Sequence, residues 1–286
     1  MSAPLIDVQN MEVSFGRGHV RAVRGVSFQL GREKLGIVGE SGSGKSTVGR
    51  AIMRLLPSFA RVTADRMAFH DIDLLRAGEK AMMEIRGRRI GLILQDPKYS
   101  LNPVMRVGEQ IAETYRLHYP NAGGAKAAQA KMLEMLEAVR IRDPERVARL
   151  YPHEVSGGMG QRIMIAMMLI AEPEVLIADE PTSALDVTVR LDVLALLNEL
   201  ITRRNLGLIF ISHDLNLIRQ FCDRVLIMYA GRIVEVLKAS ELDAARHPYT
   251  QGLLASLPSI DRPPSRLPTL TRDPSWLTTP LMGERS

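Results

Sequence analysis

The sequence predicts an α/β protein. A mostly parallel sheet with helices on both faces follows an antiparallel β region and is interrupted by a helical insertion. Three observations predict this. Short apolar runs at 35–38, 90–94, 175–178, 208–211 and 225–228 alternate with helical patterns, as a parallel sheet with crossover helices requires. The first 35 residues instead alternate apolar and polar positions. Between about 97 and 163 the spacing changes to three or four residues, with few β-branched runs.

Taken in order, Leu5, Val8, Met11 and Val13, then Val20, Ala22, Val26, Phe28 and Leu30, read as short strands turning at Gly16–Gly18 and at Gly31. The run 35–38 is a buried strand that enters a Gly/Ser-rich loop and then a helix. That helix places Val48, Ile52 and Leu55 on one face, and Pro57 ends it. Within the insertion, helices are expected at roughly 104–118 and 125–140, and a further helix at about 187–204. After Glu241 the chain turns polar and Pro-rich, with Pro258, Pro263, Pro264, Pro268, Pro274 and Pro280, which reads as an extended or poorly ordered tail. The expected boundaries are one catalytic domain over 1–260, its helical insertion at about 97–163, and a tail over 261–286.

Composition narrows the classes. The 286 residues are 46% apolar and 24% charged, globular values that exclude a disordered chain. One cysteine, Cys222, excludes an intrachain disulfide and a cysteine-built zinc or iron–sulfur centre within one chain; it reads as a small buried hydrophobe. The most apolar stretch, 163–171, is far shorter than the roughly 20 residues of a spanning helix. The start MSAPLIDVQN lacks the basic and apolar regions of a signal peptide, so a cytoplasmic chain is expected. Lys+Arg exceed Asp+Glu by 37 to 32. The densest basic patch, Arg86, Arg88 and Arg89, has no interleaved aromatics and reads as a solvated face rather than a nucleic-acid platform.

Gly39-Glu40-Ser41-Gly42-Ser43-Gly44-Lys45-Ser46 fits G-x-x-x-x-G-K-[ST]. Glycines let successive N–H groups converge on phosphate oxygens, and the following helix points its positive end at the same anion. Lys45 is expected to reach the β- and γ-phosphates, and Ser46 to hold Mg²⁺. With the adjoining Thr47 these are the candidate nucleotide-binding residues. The pattern arises by chance in about 1% of chains this long, and here a strand precedes it and a helix follows.

The run Val175-Leu176-Ile177-Ala178-Asp179-Glu180 is a buried strand ending in two acids. In parallel sheets ligands bind beyond the carboxyl ends of strands. Asp179 is placed near the Mg²⁺, and Glu180, one residue on, can polarise or deprotonate the attacking water.

Further motifs carry a resemblance. Ser156-Gly157-Gly158-Met159-Gly160-Gln161 resembles the signature of ATP-binding-cassette ATPases, with Gln161 19 residues before Glu180. Gln95 in LILQDP is similar to the Q-loop, Ser183-Ala184-Leu185-Asp186 to the D-loop, and His213 in ISHD to the switch histidine. Phe15 stands where the family places an aromatic that stacks on adenine. The resemblance covers 5 to about 260. It implies a P-loop NTPase, RecA-like, core with an N-terminal antiparallel β subdomain and an inserted α-helical subdomain. It implies ATP and Mg²⁺ as cofactors, with Ser46, Gln95 and Asp179 at the metal. Glu180, His213 and Gln95 then act on the γ-phosphate and water. Ser156, Gly157 and Gly158 are offered to the ATP of the opposite subunit in a head-to-tail dimer.

QDPKYSLNP, YPHEVSGGM and HPYTQGLLASLPSI resemble the ATPase subunits of bacterial di- and oligopeptide (and nickel) importers. That resemblance implies two integral membrane permease subunits, and a second copy of this chain or a related ATPase. It also implies an extracytoplasmic binding protein acting indirectly, and a peripheral position on the cytoplasmic face of the inner membrane. The alternative is a soluble cassette ATPase acting on nucleic acid or ribosomes. A second cassette or a long coiled coil is the usual mark of that class, and neither is visible, so no nucleic-acid partner is expected. A hydrolysis-poor half of an asymmetric pair is disfavoured by intact Glu180, His213 and Gln95. Two departures stand out. No cysteine follows Cys222, so the iron–sulfur cluster of many subfamily members is not expected, and Gly160 replaces the usual Arg.

Overall fold

A computed structural model of the chain describes residues 3–16, 18–257, 273–277 and 282–283. The chain forms two compact units, Met1–Arg76 with Ile209–Ser286, and Ala77–Leu208.

The first unit opens with β1 (Ile6–Phe15) and β2 (Val20–Leu30), paired antiparallel from Ile6↔Leu30 to Phe15↔Val20. The inward residues Val8 and Met11 are three apart, which breaks a strict two-residue period. The strand absorbs the extra residue at a register shift between them, with Asn10 at φ 51° and its N–H donating to Ser27 Oγ at 2.8 Å. Val8, Met11 and Val13 therefore all stay buried. Next come β3 (Lys34–Val38), whose last four residues are buried, and α1 (Lys45–Ile52). Then β4 (Arg61–Thr63) and β5 (Arg66–Phe69) pair with β1, and β6 (Ile72–Asp73) pairs with β5.

The second unit holds α2 (Glu79–Ile85), β7 (Ile90–Ile93), α3 (Pro97–Ser100), α4 (Val107–His118), α5 (Gly124–Ala138), α6 (Pro144–Ala148), α7 (Gly157–Leu169), β8 (Val175–Asp179) and α8 (Val187–Arg204). The expected insertion lies wholly within this unit. Ile111, Met132, Met135, Leu136 and Val147 bury the helices' apolar faces. Asp143 caps α6, accepting from Arg146 N–H, with Pro144 at the first position. Strands β7 and β8 run parallel, Ile90↔Val175 to Ile93↔Ala178.

The chain returns to the first unit through β9 (Gly207–Ser212), followed by α9 (Leu215–Phe221), β10 (Arg224–Tyr229), β11 (Arg232–Lys238), α10 (Pro248–Ala255) and β12 (Met282–Gly283). In this unit the strand order is β12-β11-β10-β3-β9, with β3 and β10 parallel. Among the described residues no helix is long and apolar enough to cross a membrane.

Two expectations are corrected. Helix α1 stops at Ile52 because Arg54 turns to φ 51°, so Leu55 lies past the helix and is 47% exposed. The chain after Glu241 is not all extended tail. Helix α10 starts at Pro248, with His247 Nδ1 accepting from Tyr249 N–H, and Tyr249, His247 and Thr250 are fully buried. The prolines at 258, 263, 264, 268 and 280 lie outside the described residues. Pro274 opens a short turn, Pro274–Leu277, that buries Trp276. The basic patch is a paired surface: Arg86 binds Glu79, Arg88 binds Glu84 and Arg89 binds Glu174. Cys222 is buried, and burial pushes its thiol pKa well up, so it is not a nucleophile near neutral pH.

Candidate nucleotide site

The loop between β3 and α1 is held by close backbone approaches. A Cβ on Gly39 would stand 2.0 Å from the Met228 carbonyl oxygen, and one on Gly44 would stand 2.4 Å from that of Ala22. Gly44 also takes φ 99°, a conformation glycine adopts without strain. Ser43 N–H donates to Glu40 O at 3.2 Å, and Gly231 N–H donates to Ser43 O at 3.0 Å, pinning the loop to the β10–β11 turn. No side chain caps the N-terminus of α1. Its first N–H groups therefore point out of the loop with the helix's positive end, the geometry that takes an anion.

Lys45 is 6% exposed. Its ammonium donates to Gly39 O at 2.7 Å, Glu40 O at 2.8 Å and Ser43 Oγ at 3.5 Å. It is thereby directed into the concavity of the loop. Ser46 and Thr47 follow on the first turn of α1, both half-buried. Phe15 ends β1, half-buried, with Phe59 6.1 Å away between ring centroids. His213 is exposed, one residue past β9, and Asp214 beside it caps α9 by accepting from Leu217 N–H at 3.1 Å.

In the second unit, Asp179 ends β8 and is 5% exposed. Glu180 follows at φ 48°, a left-handed conformation that costs a non-glycine residue about 1 kcal/mol and that clusters at functional sites. The turn is braced because Glu180 O accepts from Ser183 N–H and Ser183 Oγ–H. Exposed Gln95 lies two residues past Ile93, whose partner is Ala178. The amide and the two acids thus leave the same end of neighbouring parallel strands. Ser156 caps α7, its Oγ accepting from Met159 N–H at 3.3 Å, which leaves the hydroxyl proton to donate. Gly157 and Gly158 face Leu185 and the first turn of α8. A Cβ on Gly158 would meet Val189 Cγ1 at 2.5 Å, and one on Gly157 would meet Leu185 at 3.6 Å. Asp186 caps α8. Gly160 is buried, and a Cβ there would make ordinary contact with Pro97 at 3.5 Å.

Tyr249 was not singled out as a site residue by the sequence. Its Oη accepts from Glu40 N–H at 3.0 Å, 209 positions away in the chain. HPYTQ stood out as a motif, but no spacing rule connects it to the loop. Among the described residues, His247 Nε2 and Thr250 Oγ1 of this segment and Glu235 Oε2 on β11 are buried without a hydrogen-bond partner. Burial lowers the His247 pKa from its ordinary 6.5, against the opposing pull of Glu235.

A phosphate loop between a buried strand and an uncapped helix defines a nucleotide-binding α/β protein. A sequence model described as ABC transporter matches residues 23–183. A probable peptide ABC transporter ATP-binding protein of Sinorhizobium fredii is 48% identical over 98% of this chain and 84% of its own length. The dipeptide transport ATP-binding protein DppD of Bacillus subtilis is 45% identical over 98% and 84%, and OppD of the same organism is 45% identical over 98% and 79%. Among solved structures, the dimeric post-hydrolysis state of the cassette MJ0796 bound to ADP and Pi is 26% identical, with TM-score 0.70, over 82% of this chain and 98% of that one. The cassette cbiO1 from Clostridium perfringens, part of the transporter complex cbiONQ, is 26% identical with TM-score 0.70, over 85% and 92%. The chain belongs to the ABC transporter family, among the ATP-binding ATPases of its di- and oligopeptide import branch.

Proposed function

We propose that this chain powers peptide uptake by binding and hydrolysing ATP at the cytoplasmic face of the inner membrane, docked on two integral permease subunits that an extracytoplasmic binding protein feeds. The observation that carries the reading is the 39–46 loop. Its two close-approach glycines, inward Lys45 and uncapped helix end form a ready anion seat.

In this reading Lys45 exchanges its loop carbonyls for the β- and γ-phosphates, and the ring of Phe15 meets adenine. Mg²⁺ fits the residues present: the Ser46 hydroxyl, the Asp179 carboxylate and the Gln95 amide oxygen are hard oxygen donors. The metal would supply charge neutralisation on the phosphates. Glu180 takes the proton of the attacking water, and His213 donates a hydrogen bond to the γ-phosphate. Ser156, Gly157 and Gly158 present a hydroxyl, N–H groups and the start of α7 to the ATP of a partner cassette, either a second copy or a related ATPase. ATP then closes the dimer and hydrolysis releases it, with Gln95 at the entrance to the helical segment reporting the γ-phosphate.

The test is capture of tagged chain from its native membranes in detergent, with co-purifying proteins identified by mass spectrometry. Polytopic membrane subunits are expected. Recovery of soluble partners only, with the chain absent from the membrane fraction, would overturn the importer reading.

A further inference from the structure

We propose that Tyr249 is a positioning residue of the nucleotide site: its hydroxyl holds the Gly39–Glu40 peptide of the phosphate loop in the orientation that binds ATP. This rests on the reading of that loop as the ATP-phosphate seat.

The Gly39–Glu40 peptide is gripped at both ends. Lys45 Nζ donates to its carbonyl, Gly39 O, at 2.7 Å, and its N–H, on Glu40, donates to Tyr249 Oη at 3.0 Å. Gly39 is also wedged against the Met228 carbonyl, where a Cβ would come within 2.0 Å. The next residue, Tyr229, packs its ring against that of Tyr249 at a tilt of 48° with centroids 4.6 Å apart, so the end of β10 both walls the loop and contacts the tyrosine. The phenol is held from behind as well. Trp276 lies 5.8 Å from its ring, and His247 Nδ1 accepts its backbone N–H at 3.1 Å. Glu235 Oε1 on β11 accepts from Arg246 N–H and His247 N–H, which ties the start of α10 to the sheet. A fully buried phenol fixed on three sides is a rigid acceptor, not a mobile one.

The consequence follows from what ATP does to Lys45. When the ammonium turns to the phosphates, the peptide loses its carbonyl partner. The Tyr249 bond is then the grip that keeps it from rotating. Without it, part of the binding energy goes to re-ordering the loop each time ATP enters.

Tyr249→Phe keeps the ring and its packing and deletes the hydroxyl that accepts from Glu40 N–H. On the full chain, the Kd for ATP is expected to rise about 3- to 10-fold, the range of one lost neutral hydrogen bond. In a complex that turns over, KM should rise while kcat changes less than twofold. In nucleotide-free protein, hydrogen exchange at the Glu40 amide should quicken while the amides of α1 do not. A role in packing alone would leave Glu40 exchange unchanged and lower thermal stability instead. Lys45→Ala separates the two readings. If it keeps wild-type affinity, the loop is not the ATP seat and both readings fall. If it loses affinity while Tyr249→Phe changes neither ATP affinity nor Glu40 exchange, the positioning role alone is overturned. Exchange is read without ATP, so a Tyr249→Phe protein with unchanged Glu40 exchange refutes the brace even where affinity shifts.

Discussion

At the scale of single residues, the most legible chemistry was the most local. The eight residues of the phosphate loop, 39–46, are contiguous, and each type has one physical use there, so their spacing is readable before any fold is known. The left-handed turn at Glu180 was not readable, because glutamate gives no hint of positive φ. Nor was the Tyr249 bond, which spans 209 positions and depends on how two distant segments pack. The buried group beside it has a pH consequence. His247 is fully buried, its Nδ1 is occupied as an acceptor, and burial holds its pKa below 6.5. The unfolded chain therefore takes up the proton more readily than the folded one. The contribution of this site to stability is complete above about 6.5 and is lost as pH falls from there toward the lowered folded value. Asparagine retains a cap acceptor and does not titrate. The melting temperature of wild type should thus fall more steeply between pH 7 and 5.5 than that of His247→Asn. Parallel curves would show that His247 does not carry the effect.

At the scale of elements, apolar periodicity marks β1–β3, β7–β10 and the helices α1, α4, α5 and α8. The parallel strands β3, β7, β8, β9 and β10 each fall on a run of apolar residues flanked by turn or helix signals. Helix α8 spans Val187–Arg204, as its pattern indicates, because Asp186 caps one end and Asn205 at φ 52° closes the other. At α1 the apolar spacing continues to Leu55, but Arg54 adopts a left-handed φ, a choice the pattern does not record. Helix α10 is hidden in the sequence by the prolines of the last 45 residues. Pro248 sits at the first helical position, where its missing N–H costs nothing, so it starts a helix instead of breaking one. Trp276 then covers the element: its ring lies 5.6 Å from Tyr229, 5.8 Å from Tyr249 and 6.3 Å from His247. Trp276→Ala should destabilise the chain by about 3 kcal/mol in denaturant unfolding, the scale of emptying a buried aromatic site. A change under about 0.5 kcal/mol would mean that this turn adds nothing to the packing around Tyr249.

At the scale of the whole molecule, the candidate residues divide between the two units. Phe15, the phosphate loop and His213 belong to one, and Gln95, Ser156, Asp179 and Glu180 to the other. Order and spacing along the chain could reveal this set because the family resemblance spans both units. Composition alone offered only a mildly basic globular protein, and the arginines of its basic patch are engaged in surface ion pairs. In the proposed reaction Glu180 is the base that activates water. The most direct measurement is ATP turnover by the complex recovered from native membranes, with either wild-type chain or Glu180→Gln in place. The variant should bind ATP with wild-type affinity and lose at least about 100-fold in kcat, as removal of a general base does. Turnover within a few-fold of wild type, at equal ATP affinity, would remove Glu180 from that role.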